Sequence, residues 1–361
     1  MKYYNIPLAL LFLFLLAQTT PVSAKTDSYP QKGVCYVSWE KDKYQSIYSD
    51  QSLESLARVG VEYIAIVVTY YQETCSDTQI KATKLTPSDT SIIHAIKKAH
   101  SLGLKVMLKP HIDLINPTKD VYSINQCRSD IGFTNDQEWE KWFKEYQKLI
   151  LHYAKMAKDL NVDLFCIGTE LSFTTQKDSL WRTEIIKKVR DVYPGKIVYA
   201  ANWDDYKDVK FWDDLDYIGI DAYFPLSSNT NPTLSELKNG WIKWKKEIEK
   251  FIAKTNKPVI FTEIGYTSGI KAHITPWETP MIGNVSLDLQ TKCYQSFFET
   301  IWNSPWLEGV YWWKWSPSVY AGGINNRDYT PQNKPAQKIL EKYYKNYSSD
   351  ISDKKYTLAQ N

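Results

Sequence analysis

Phe165-Cys-Ile-Gly-Thr-Glu170 is an apolar run that stops on a carboxylate, and Val259-Ile-Phe-Thr-Glu-Ile-Gly-Tyr266 repeats the pattern around Glu263. Runs this rich in β-branched and aromatic residues read as buried strands of a parallel sheet. A glutamate at the C-terminal lip of such a strand is hard to explain as core. Two of them, on two strands of one barrel, have the look of the paired carboxylates that cleave glycosidic bonds.

Working outward, strand-like segments alternate with amphipathic ones. The strands read are Gly33–Trp39, Glu62–Tyr70, Lys105–His111, Asp163–Glu170, Ile197–Trp203, Tyr217–Tyr223, Pro258–Glu263 and Gly309–Trp315. Helical periodicity covers Ser88–Ser101, Asn135–Asp159, Leu180–Val192, Thr233–Lys254, Ser286–Asn303 and Pro335–Tyr344. Eight βα units with no gap for another domain predict an α/β protein, a single (β/α)8 TIM barrel. An open doubly wound sheet would need a glycine-rich phosphate loop, and neither G-x-G-x-x-G nor G-x-x-x-x-G-K occurs.

In such a barrel, function gathers at the C-terminal strand ends. Glu170 and Glu263 are the catalytic candidates, on strands nearly opposite each other. One carboxyl must hold a proton for the leaving oxygen, and the other must attack the anomeric carbon or activate water. The bland alternative is that each Glu pairs with a strand-end cation such as Lys109 or Lys314. The substrate-binding candidates are Trp39, Tyr70, Lys109, His111, Asn202, Trp203, Asp221, Tyr223 and Trp313. Several read two ways. His111 contacts substrate or is a hydrogen-bonded supporting group. Tyr223 donates to Glu263 or forms an aromatic wall. Asp221 binds substrate or, like Asp204, holds loop amides. Asn202 binds a hydroxyl or holds a loop. Trp313 is the floor under a sugar or packs the last strand.

Composition narrows the class. Of 361 residues, 43% are hydrophobic and 24% charged, enough for a large core, and the net charge of +3 favours neither nucleic acid nor an anionic membrane as partner. Aromatic content is 14%, with 14 Trp and 26 Tyr, which suits either a Trp-rich core or stacking platforms for sugar rings. Lys2, the apolar Ile6–Ala17 and the small residues Val22-Ser-Ala24 predict a signal peptide over residues 1–24 and a secreted or periplasmic protein. Residues 25–346 are expected to form the barrel and residues 347–361 a polar tail. Of the five Cys, Cys35 and Cys166 fall in strands and Cys293 in a helix. Cys75 and Cys127 fall in loops and are the expected disulfide. No metal-ligand spacing occurs, so neither metal nor other cofactor is expected. A monomer is the expectation.

The strings Leu-Lys-Pro-His-Ile-Asp (108–113), Cys-Ile-Gly-Thr-Glu-Leu (166–171), Ala-Ala-Asn-Trp-Asp (200–204), Asp-Tyr-Ile-Gly-Ile-Asp-Ala-Tyr-Phe-Pro-Leu (216–226), Phe-Thr-Glu-Ile-Gly-Tyr (261–266) and Trp-Trp-Lys-Trp (312–315) span nearly the whole chain. Together they resemble the retaining clan A glycosidases, and within them glycoside hydrolase family 113, the β-mannanases. The resemblance implies that Glu170 is the acid/base and Glu263 the nucleophile. It also implies that β-1,4-linked mannan or manno-oligosaccharide is the substrate, cleaved with retention. An exo-acting β-mannosidase or β-glucan hydrolase is the alternative, and a non-catalytic carbohydrate-binding barrel a more distant one. One departure stands out: most clan A enzymes carry Asn just before the acid/base, where this chain has Thr169.

Overall fold

The computed structural model describes residues 30–117, 127–279 and 283–345. The leader over 1–24 and the tail over 347–361 lie outside the described residues. Eight parallel strands close into a barrel in chain order. They are β1 Gln31–Tyr36, β2 Tyr63–Gln72, β3 Lys105–Leu114, β4 Leu164–Thr169, β5 Lys196–Asn202, β6 Tyr217–Asp221, β7 Val259–Ile264 and β8 Leu307–Trp315. Closure is by β1 on β8, in a register that sets Gly33 opposite Tyr311. The expected single barrel is the observed fold.

Period-two alternation builds two cores. Side chains turned to the axis, among them Cys35, Ala65, Val67, Met107, Cys166, Val198 and Ile260, form the barrel interior. Their neighbours in sequence, such as Val34, Ile64, Ile66, Phe165 and Phe261, face outward and pack under the helices. Most of the aromatic content sits in this outer layer. Trp142, Trp181, Trp241, Trp302, Trp312 and Trp315 are all fully buried, so packing accounts for much of the Trp count.

Three local features go beyond the sequence reading. Residues 47–59, not read as helical, form a helix. Ser46 caps it by accepting from Ser49 N–H, and Gly60 ends it in the left-handed region at φ 92°. Between β5 and β6 there is no α-helix, only turns and the 3-10 segment Trp212–Asp214. The barrel therefore lacks one of its eight α-helices. The helical stretch before β5 contains a π-helical Trp181–Ile186. That irregularity seats Trp181 against Tyr146 and Phe211.

Cys75 and Cys127 are not bridged, and both are thiols. Cys75 is buried, and its carbonyl accepts from Gly132 N–H. The Cys127 sulfur instead turns to Ser129 Oγ at 2.9 Å. Loop position alone did not bring the two together.

Candidate active site

Strand alternation, with two interruptions, assembles the site. On β3 every second residue faces inward, so Lys109, His111 and Asp113 continue the row begun by Met107 and climb towards the mouth. On β7 strict alternation would turn Glu263 outward, because Ile260 faces the axis. A bulge intervenes: Ile220 is opposite Phe261, but Asp221 is opposite Glu263. The extra residue, Thr262, points inward and donates to Asp221 Oδ1 at 2.7 Å, and Glu263 reaches the axis as well. β4 has the same device: between the pairs Cys166–Val198 and Thr169–Ala200 lie two residues on β4 and one on β5. Glu170 then follows at φ 54°, a left-handed conformation that disfavours an L-residue by roughly 1–2 kcal/mol. Its own N–H donates to Ala200 O at 2.8 Å. Both glutamates thus reach the mouth through broken register.

Glu263 is 3% exposed and held by donors from other strands. Lys109 Nζ donates to its Oε1 in a short contact, and Tyr223 Oη donates to its Oε2 at 2.7 Å. Lys109 is fully buried and also donates to Asp221 at 3.3 Å. Burial would depress the Lys109 ammonium, but Asp221 and Glu263 outweigh it and hold the lysine above its ordinary value. Burial and then the Glu263 carboxylate push the Tyr223 phenol well up, so it stays a donor. A cation and a phenol thus donate to its two oxygens.

Glu170 is differently placed. Its side chain is 21% exposed, and Arg128 Nη1 donates to its Oε2 at 3.1 Å. Burial raises its pKa to about 7. The Arg128 cation opposes the rise and the Glu263 carboxylate adds to it. Near neutral pH this carboxyl can hold a proton, lose it and regain it. Arg128 also donates to Asp113 and to His111 Nδ1 at 3.3 Å. Burial, Arg128 and Lys109 in turn push the imidazole well below its ordinary value, so it is neutral. Because Arg128 has only donors, His111 Nδ1 must accept, which puts the ring proton on Nε2. That nitrogen has no hydrogen-bond partner among the described residues and lies 3.6 Å from Glu263 Oε1. Arg128 and His111 thus link the two carboxylates.

Both glutamates open into one cleft of about 730 Å3, lined also by Arg128, Asn202, Trp203, Tyr223 and Trp313. Trp313 lies parallel to His111, 7° between planes and 6.0 Å between centroids. Trp203 stacks on Trp277 at 5.3 Å, and Asn202 donates to Ser172 Oγ at 3.1 Å. Asp205, beside them, has its pKa raised by burial to about 6.

Four candidates are placed elsewhere than the sequence reading put them. Lys109 and Asp221 are fully buried beneath Glu263, so they support that carboxylate and do not reach a sugar. Tyr70 has outward parity, since Thr69 takes the inward position, and it packs edge-on against Tyr153 under a helix at 6.0 Å. Trp39 lines a neighbouring hollow and meets Trp313 edge-on. Thr169 is buried, its Oγ1 3.8 Å from Cys166 Sγ. Arg128, Phe173, Trp277 and Tyr329 line the cleft and were missed. Arg128 and Phe173 sit on short 3-10 segments and Trp277 and Tyr329 on loops, and no periodic or strand-end signal marks any of them. Among the described residues, no group of three or more His, Cys, Asp or Glu could hold a metal ion, and no helix is long and apolar enough to cross a membrane.

The model of Glycoside Hydrolase Family 113 matches residues 35–347. Among solved structures, the chain is similar to a family 113 β-1,4-mannanase solved as a complex, at 27% identity and TM-score 0.78, covering 88% of this chain and 99% of that one. It is similar also to the family 113 β-mannanase AaManA of Alicyclobacillus acidocaldarius, solved with ManMIm, at 26% identity and TM-score 0.79, covering 88% and 98%. No curated protein sequence matches. The match over most of the barrel, on a cleft that presents two dissimilar carboxylates, shows that the chain belongs to glycoside hydrolase family 113 and is an O-glycosyl hydrolase.

Proposed function

We propose that the protein is a retaining endo-β-1,4-mannanase that works by double displacement. The observation that carries the mechanism is the contrast between the two carboxylates: Glu263 is bound by Lys109 and Tyr223, whereas Glu170 has a pKa of about 7. In the first step protonated Glu170 gives its proton to the glycosidic oxygen as the C1–O bond breaks. Glu263 attacks C1 from the opposite face and forms a glycosyl ester. In the second step ionised Glu170 takes a proton from water, the water oxygen attacks C1, and Glu263 leaves. Two inversions give net retention. Trp313 offers a flat apolar face to a ring that flattens in the transition state.

The mannan substrate rests on the two similar structures, which are β-mannanases at 26–27% identity. The Ile6–Ala17 run and Val22-Ser-Ala24 support export to the periplasm or medium, which N-terminal sequencing of the mature protein checks.

The test is hydrolysis of mannan, manno-oligosaccharides, cellulose and xylan, with the first-formed anomer followed by NMR. Rapid formation of β-anomeric oligosaccharides from mannan is expected. A first-formed α-anomer would overturn double displacement. Turnover of cellulose or xylan but not mannan would overturn the substrate.

A further inference from the structure

The loop after β7 carries Trp277 into the cleft, where its ring is 47% exposed and nearly parallel to Trp203, 14° between planes. Two loops thus make one aromatic wall. Trp203 follows β5, whose Ala200 carbonyl accepts from Glu170 N–H, so the wall stands on the Glu170 side. The first part of the loop is pinned to the segment after β6. Leu226 N–H donates to His273 O at 2.8 Å, and His273 Nε2 donates to Asn229 O at 2.7 Å. Residues 276–279 lie beyond that pin, and Glu278 bonds only within the loop, to Thr275. Among the described residues, the hydrogen bonds from 276–279 to another part of the barrel meet at Tyr329. Its Oη donates to Pro276 O at 2.7 Å, and the Thr279 hydroxyl reaches the same phenol.

Tyr329, in the loop after β8, is buried and is itself tied down. Its N–H donates to Asp328 Oδ1 at 2.8 Å. Its carbonyl accepts at 2.9 Å from the buried Gln290, which also donates to Tyr266 O just past β7. Its ring edge meets Tyr223 at 6.1 Å and 71°, the phenol that donates to Glu263. One fixed residue therefore touches both the aromatic wall's loop and the nucleophile's donor. Any shift of Pro276 moves the neighbouring Trp277, and a displacement of about 1 Å in a group that orients substrate is enough to cost rate. We propose that Tyr329 is a positioning residue: by holding Pro276 it fixes the Trp203–Trp277 wall against the departing sugars, in a constant relation to Glu263. The inference rests on the reading of Glu170 as the acid, which puts the departing sugars on this side.

The experiment uses Tyr329→Phe, which removes the hydroxyl and keeps the ring edge on Tyr223. Mannotetraose spans both sides of the cleaved bond, whereas β-mannobiosyl fluoride puts no sugar on the departing side. KM for mannotetraose should rise about three- to tenfold, the scale of one neutral hydrogen bond, and the loss in kcat/KM should be smaller for the fluoride. A tyrosine that only stabilised the fold would lower the melting temperature and the active fraction, reducing both rates alike with KM unchanged. Adding Tyr329→Phe to Trp277→Ala should raise KM less than it does in the wild-type background, because the residue acts through Trp277. Equal losses on the two substrates, or an undiminished effect without Trp277, would overturn the proposal. If wild-type enzyme cleaves no mannotetraose, the mannan reading fails by itself, and hydrogen exchange decides the positioning role. Tyr329→Phe should then speed exchange over residues 270–279 and leave the barrel strands unchanged, and wild-type exchange over 270–279 would overturn it.

Discussion

Glu263 and Glu170 stand on one barrel rim and are built in opposite ways. Glu263 is gripped from inside the barrel by Lys109 on β3 and by Tyr223 just past β6, with Asp221 anchoring the lysine. Nothing in that grip depends on a long loop. Among the described residues, the side chain that donates to Glu170 is Arg128, from the loop after β3, which also contacts Asp113 and His111. In the proposed mechanism the nucleophile needs a constant charge, and donors on or next to barrel strands are constant. In the same mechanism the acid must change charge twice per turnover, which suits the more exposed Glu170 with Arg128 as its donor among the described residues. The difference predicts that damage to the Glu263 side costs rate at every pH, whereas damage to the Glu170 side changes where on the pH scale the enzyme works.

The largest effect expected is from Glu263→Ala, which should lower turnover on the order of 10⁴-fold or more. Lys109 keeps Asp221 as a partner, so the variant should fold. Added azide should restore part of the activity and give an α-linked glycosyl azide, read by NMR. Rescue with a β-linked product would assign the nucleophile elsewhere.

Glu170→Ala comes next, at about 10²–10⁴-fold on mannan, the range of a lost general acid. An aryl mannoside with a good leaving group needs no proton, so its first step should be nearly spared and a burst of phenolate should appear. Equal losses on the two substrates would remove Glu170 from the acid role.

Tyr223→Phe should cost less. It removes the donor on Glu263 Oε2, a charged hydrogen bond worth about 1.5–3 kcal/mol, or roughly 10- to 150-fold in kcat/KM. Because the phenol stays protonated throughout the working range, the loss should be uniform across pH. A pH-dependent loss would break the comparison between the two carboxylates.

The same contrast explains what could be read in the sequence. The β4 and β7 strings end on glutamates because the apolar run, the strand end and the carboxylate are all local features. Lys109, His111 and Tyr223 were legible for the same reason. Each was read with two possible roles, and the choice between them was not legible, since whether Lys109 meets a sugar or a carboxylate depends on how far up the barrel its position lies. Tyr70 failed through parity: it ends an apolar run, but the strand continues to Gln72 and Thr69 holds the inward position. The bulges at Thr262 and before Thr169 were invisible too, because a bulge is set by the register with a neighbouring strand. Arg128 is the extreme case. It sits in Cys-Arg-Ser-Asp, a string with no period and no motif, and only closure of the chain over the mouth brings it to Glu170.

Arg128→Ala is therefore the sharpest test, although its effect at optimal pH should be the smallest, a few-fold to about tenfold in kcat/KM. Among the described residues, the charged groups acting on Glu170 are Arg128, Glu263, Lys109 and Asp205. Arg128 makes a direct charged contact, and its effect is to lower a pKa that burial has raised to about 7. Removing the cation leaves burial and the Glu263 carboxylate less opposed, so the Glu170 pKa must rise further. The acid is active when protonated, and kcat/KM falls on the alkaline side as it ionises. The alkaline limb should accordingly move above its wild-type position. Arg128→Lys, which keeps the charge but not the forked donors, should leave the limb near wild type while losing part of the rate. A purely structural arginine would lower the melting temperature in both variants and leave the limb where it was. An alkaline limb that moves to lower pH in Arg128→Ala would reverse the sign of the coupling and show that Glu170 is not the group the profile reports.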